Sequence, residues 1–293
     1  MESVEVKIKK TRVSRRLSYI VLCAGLVLVT VVIGVRATYS PGVYYTLALV
    51  QFSVICIAAW KVGVSAVRAE PEERRKLAVA GGLLVIPWAL FSLFPGIGAP
   101  PQATATENQV RYLIVAINAI AIAGGLVVLR QVLSEAGERF WSTLGFAATM
   151  LAGPLFVVIA TERIGAYGAM VRAGSLEESP EFAPLHLLSH VLLILGAALT
   201  YLAVAAFAAS LRRTQWLGRT ASRVCVGISF FAVSCLAVAM AATLESPEAP
   251  MSGIKNWLAT LGPTVFMIPA VPAVSWIMPL LFGVLLLRRA GKA

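Results

Sequence analysis

Eight times along its length this chain runs apolar for about twenty residues, the stretch a helix needs to cross the hydrocarbon core of a bilayer. The runs are 17–35, 43–67, 77–94, 110–129, 140–160, 185–211, 224–244 and 263–287. In lipid, every backbone N–H and C=O must find its partner inside the protein, so runs of this length are usable only as helices. The expected fold is all-α: a polytopic membrane protein, a single bundle of eight transmembrane helices over 17–293, preceded by a basic tail over 1–16. Composition agrees with the runs. Hydrophobic residues are 59% of the chain and charged residues 13%, against roughly half and a quarter in a soluble domain.

The basic residues set an expected orientation. Nineteen of the twenty-five lie in the N-terminal tail, at the C-terminus or in the loops that eight spans place on the same side. They include Arg15, Arg16, Arg74, Arg75, Arg130, Arg139, Arg212, Arg213, Arg219, Arg223, Arg288 and Arg289. Arg36, Arg111, Arg163, Arg172 and Lys255 fall on the other side. The positive-inside rule then puts both termini in the cytoplasm of a plasma membrane of the bacterial inner-membrane type. It also accounts for the net charge of +11. A basic face meets anionic lipid headgroups, so the expected partner is the bilayer, and nucleic acid is not needed. The first run is longer than a signal-peptide core and lacks a small-residue cleavage site after Val35, so it reads as a retained span.

All fourteen acids are Glu, which removes chemistry that requires aspartate. Cys23, Cys56, Cys225 and Cys235 lie in apolar runs without a CxxC, as small buried hydrophobes do.

Chemistry-bearing groups concentrate between Thr161 and His190. The chain's two histidines, His186 and His190, are one helical turn apart at the start of the sixth run. Glu162 and Glu245 close the fifth and seventh runs, with Arg163 beside Glu162. A carboxylate at a helix C-terminus faces the negative end of the macrodipole and gains from a cationic partner. If the three helices are neighbours, Glu162 or Glu245 should stand about 4–6 Å from a histidine ring. Glu162, Glu245, His186 and His190 are thus the candidate ligands for a divalent metal. HxxxH alone is a weak motif, and Leu187 excludes HExxH.

Polar groups deeper in the runs offer solute contacts: Gln51, Asn118, Ser275 and Trp276. Lys61 lies near the inner end of its run, within reach of the headgroups. Pro269, Pro272 and Pro279 should break or kink the last helix, and discontinuous helices often build transporter sites. The loop Pro95–Gln109 reads as irregular and Met251–Leu261 as an interfacial helix. The echo of L-E-E-S-P-E at 176–181 in L-E-S-P-E at 244–248 suggests related hairpins.

Several classes are excluded. A retinal Schiff base needs a lysine in the last helices, and the last two runs have none. A bis-histidine haem needs ligands on facing helices, and no P-loop signals a nucleotide. The expected activity is therefore transporter-like binding of a small solute, with no catalytic residue assigned. The alternatives are a membrane-embedded metal-dependent enzyme at His186 and His190 with Glu162 or Glu245, and a non-catalytic accessory or sensory subunit.

Overall fold

A computed structural model describes residues 14, 16–24, 41–69, 71–97, 103–173, 183–244 and 266–292. Of these, 92% are helical and none is in a strand. The long helices are α1 (Pro41–Val62), α2 (Glu72–Phe91), α3 (Ala105–Glu135), α4 (Phe140–Ala173), α5 (Ala183–Arg213), α6 (Arg219–Leu244) and α7 (Ile277–Lys292). Among the described residues seven helical stretches are long and apolar enough to cross a membrane, and each overlaps one of the last seven of the eight expected spans. Of the first, 17–35, only 17–24 is described, as helix. The interfacial helix 251–261 and the two echoing loops lie outside the described residues, apart from Leu244, which ends α6.

Local chemistry explains where several helices begin and end. The irregular loop expected to run to Gln109 stops five residues earlier. Thr104 and Glu107 form a capping box: the Thr104 N–H donates to Glu107 Oε2 at 2.7 Å, and the Glu107 N–H to Thr104 Oγ1 at 3.2 Å. At the other end of α3, Gly137 sits at φ +89°, the left-handed conformation that lets the chain turn back on a helix C-terminus. α1 ends at Val62, where a 3-10 turn, Val64–Arg68, takes over. Lys61 is therefore in the last helical turn, beside the negative end of the dipole.

The last span is interrupted as its prolines require. A 3-10 turn (Ile268–Ala270) and a single α turn (Pro272–Ser275) are separated by Val271, extended at ψ 123°. The residue before a proline is pushed out of the helical region, and Pro272 does this to Val271. Pro279 falls in the first turn of α7, where a missing N–H costs nothing.

Contacts divide the chain into two compact units. The first takes the described residues up to Val132 and from Pro279 onwards, and the second those of Leu133–Met278. In the first unit, α2 and α7 meet backbone to backbone. A Cβ on Gly81 would stand 2.8 Å from the Gly283 carbonyl oxygen, so neither glycine can be larger without moving a helix. Arg74 Nε donates to the Ala290 carbonyl at 2.6 Å, capping the end of α7.

In the second unit α4 packs on α5, and α5 on α6. Phe207 of α5 fills the space over Gly145 of α4, where a Cβ would come within 2.8 Å of its ring. Nearer the far end of α4, Phe156 meets Trp276 edge to face at 5.0 Å. The Phe207–Gly145 contact fixes the register of α4 against α5, and so determines which polar side chains meet at the two ends of the pair.

Candidate functional site

α4 is 34 residues long. Glu162 stands 22 residues after Phe140, about 33 Å of helix axis, close to the thickness of a hydrocarbon core. The helix then continues to Ala173, so Glu162 is not at its C-terminus and the expected clash with the macrodipole does not arise. The carboxylate is placed by side chains instead. Ser189 Oγ donates to Glu162 Oε2 at 2.8 Å, and Arg163 Nε lies 3.3 Å from the same oxygen. Glu162 Oε1 is buried, accepts no hydrogen bond from a described residue, and stands 3.9 Å from His186 Nε2. An Arg163 terminal nitrogen lies 2.8 Å from that same His186 nitrogen.

This contact assigns the state of the ring. A guanidinium can only donate, so His186 Nε2 must be the acceptor. The imidazole is then neutral, with its proton on Nδ1. Glu162, Arg163, His186 and Ser189 are thus a compact polar tetrad joining α4 to α5.

The expected carboxylate–imidazole approach is found at His186 and not at His190. About 100° of helix per residue puts Ser189 some 60° to one side of His186 and His190 some 40° to the other. α4 lies on the Ser189 side. Ser189 is buried and His190 half-buried, and His190 takes no part in the tetrad. Glu245 lies outside the described residues. Among the described residues no three His, Cys or Glu side chains gather as metal ligands would.

The four expected solute contacts are distributed over both units. Gln51 and Asn118 belong to the first, buried among α1, α2 and α3. Asn118 Nδ2 donates to the Pro87 carbonyl at 3.2 Å, while its Oδ1 and both amide atoms of Gln51 meet no described partner. Ser275 and Trp276 belong to the second unit. The Ser275 hydroxyl donates to Pro272 O at 3.2 Å within the single α turn that follows the interruption, and the Trp276 ring is buried against Phe156.

The opposite end of α4 and α5 holds a group that sequence reasoning passed over. Glu138, 7% exposed, caps the start of α4. Its two carboxylate oxygens accept the N–H groups of Trp141 (3.0 Å) and Ser142 (3.1 Å), and the Ser210 hydroxyl of α5 donates to Oε2. Burial pushes its acidity down. The Ser210 hydroxyl, the two backbone N–H groups and the nearby Arg213 outweigh burial, and hold the carboxyl below its ordinary value. The signal available in the sequence was a Glu four residues before a serine at a helix start, E-R-F-W-S, which is too common to single out.

Beside Glu138, the turn from α5 to α6 opens into a cavity of about 840 Å³ lined by Arg212, Arg213, Arg219, Arg223 and Trp141. Arg213 lies over the Trp141 ring, 5.9 Å from its centroid. Neither this cavity nor one of about 810 Å³ at Arg16, Arg288 and Lys292 in the first unit is lined by Gln51, Asn118, Ser275 or Trp276.

The architecture is that of a helical protein with several helices fit to span a membrane. Comparison with known proteins adds no narrower class: no family model matches the chain, and neither a curated protein nor a solved structure matches it.

Proposed function

We propose that this is a multi-pass plasma-membrane protein with both termini cytoplasmic, which binds a small hydrogen-bond-donating solute at the outer ends of α4 and α5 in a transporter-like manner. The observation that carries the reading is Glu162 Oε1, a buried carboxylate oxygen without a described donor, 3.9 Å from an imidazole nitrogen already engaged by Arg163. A buried acceptor left unpaired is costly, and a solute amine or hydroxyl would satisfy it. The interrupted helix at Val271 and the unpaired amide of Gln51 support a protein that accommodates polar groups at membrane depth. The bias of basic residues supports the orientation. The metal-enzyme alternative needs a third ligand beyond Glu162 and His186, and Glu245 is its remaining candidate.

The test is thermal unfolding of the purified protein against a panel of small amines and polyols, ethanolamine, putrescine and glycerol among them. A member of the panel should raise the melting temperature of the wild type and leave Glu162→Gln unmoved. Equal shifts in both proteins, or none across the panel, would discard the reading.

A further inference from the structure

We propose that the cavity at the α5–α6 turn is a binding site for a phosphate group, carried either by an anionic phospholipid headgroup or by a small phosphorylated solute. Four arginines line it, Arg212, Arg213, Arg219 and Arg223. The acid beside it is Glu138, whose oxygens are already taken by Ser210 and two backbone N–H groups and which faces Arg213. Arg212, Arg219 and Arg223 form no ion pair with a described carboxylate, so most of the charge is uncompensated. Arginine is suited to this role because its planar fork matches two phosphate oxygens at once.

The backbone at the turn adds to the same field. The carbonyls that end α5 are satisfied locally: Ser210 O accepts from Thr214 N, Leu211 O from Trp216 N and Leu217 N, and Arg212 O from Gln215 N. The negative end of α5 is thereby neutralised. The start of α6 is open. Its first turn holds no acidic residue, and the space beside Gly218 is empty. Free N–H groups at a helix start favour an anion. Gln215, which lines the cavity, holds a left-handed backbone at φ 60°, a costly conformation for a residue with a side chain.

Topogenic arginines alone do not account for this arrangement. A positive-inside flank requires charge on a loop, not four arginines lining one cavity with an aromatic ring and an open helix start. The cavity at Arg16, Arg288 and Lys292 is of similar size and also basic, but none of its lining residues belongs to the first turn of a described long helix. It serves as the internal control.

The experiment uses the full chain in phosphatidylcholine nanodiscs, with Trp141 as reporter. The chain has six tryptophans, so the signal is the fluorescence of the wild type minus that of Trp141→Phe. One arm titrates pyrophosphate. The other replaces part of the phosphatidylcholine with phosphatidylglycerol and counts retained lipids by native mass spectrometry. A saturable response to pyrophosphate assigns the site to a soluble phosphate; a retained phosphatidylglycerol without such a response assigns it to a lipid headgroup. In either arm Arg219→Gln/Arg223→Gln should weaken binding at least about tenfold, the loss expected for charge-assisted hydrogen bonds. Arg16→Gln/Lys292→Gln should leave it unchanged. If the first pair disturbs folding, Arg219→Lys/Arg223→Lys keeps the charge, removes the fork and should still weaken binding. No response in either arm, binding unaffected by the arginine pair, or equal loss in the control pair overturns the proposal.

Discussion

The two ends of the α4–α5 pair solve the problem of charge in opposite ways. At the Glu162 end one carboxylate, one guanidinium, one neutral imidazole and one hydroxyl face each other, and their formal charges cancel. At the Glu138 end a single buried carboxylate is spent on capping α4 and holding Ser210, while four arginines ring a cavity next to it. The same two helices therefore carry a charge-balanced cluster with one open carboxylate oxygen, Glu162 Oε1, at one end and an excess of positive charge at the other. Side chains that pair with each other contribute to folding. Charges that remain unpaired at little structural cost are available to bind something else.

The sharpest break of that contrast is the loss of Glu138. Glu138→Ala removes a helix cap and strands the Ser210 hydroxyl in the interior, so unfolding should become easier by about 2–4 kcal/mol, measured by thermal or chemical denaturation in detergent. The pH dependence follows the same carboxylate. Its folded pKa is depressed, so its contribution is present above the unfolded pKa and is lost as pH falls through the folded one. Wild type should lose stability in that acid window by more than Glu138→Gln does. Parallel curves would refute the structural role of the charge.

The tetrad should show a smaller effect, and one confined to its members. A double-mutant cycle between Glu162→Gln and Arg163→Gln should return a coupling of about 0.5–2 kcal/mol, reduced by the partial exposure of both side chains. His186→Ala should cost about 1 kcal/mol by removing the acceptor for Arg163, and His190→Ala close to none. Imidazole nitrogen NMR gives an independent reading: the neutral His186 ring should carry its proton on Nδ1. A proton on Nε2 would mean that Arg163 and His186 are not bonded and that the tetrad is assembled differently.

The smallest effect belongs to the arginines. In anion-free detergent, Arg219→Gln/Arg223→Gln should change unfolding stability by no more than about 0.5 kcal/mol per site, with relief of mutual repulsion favouring the variant. A large loss would show that these guanidiniums hold the fold together, and the contrast between the two ends would disappear.

What the chain determines by itself is whatever depends on neighbours in sequence. Apolar runs of this length favour helices because backbone groups in lipid have no other partner, and among the described residues the last seven runs overlap seven helices long and apolar enough to cross a membrane. Pro272 displaces Val271 from the helix through the geometry of one peptide, and Thr104 with Glu107 starts α3 through bonds three residues apart. The helix ends were less legible. α4 passes beyond its apolar run to Ala173, since helix propagation is favourable once the first turns are formed. Only the tertiary structure decided which polar groups meet. His186 and His190 present equal claims in sequence, and the side on which α4 lies against α5 selects His186 with Ser189. Glu138 is one glutamate among fourteen, distinguished by the arrival of Ser210 from 72 residues away. The arginines that mark a side of the membrane in the linear chain become a cavity lining only where the turn at Gln215 brings the end of α5 to the start of α6. Apolar patterning is a sum over local transfer energies and survives in one dimension. A charge's partner depends on helix register and rotation, and those are set by packing contacts such as Phe207 on Gly145, which no local pattern encodes.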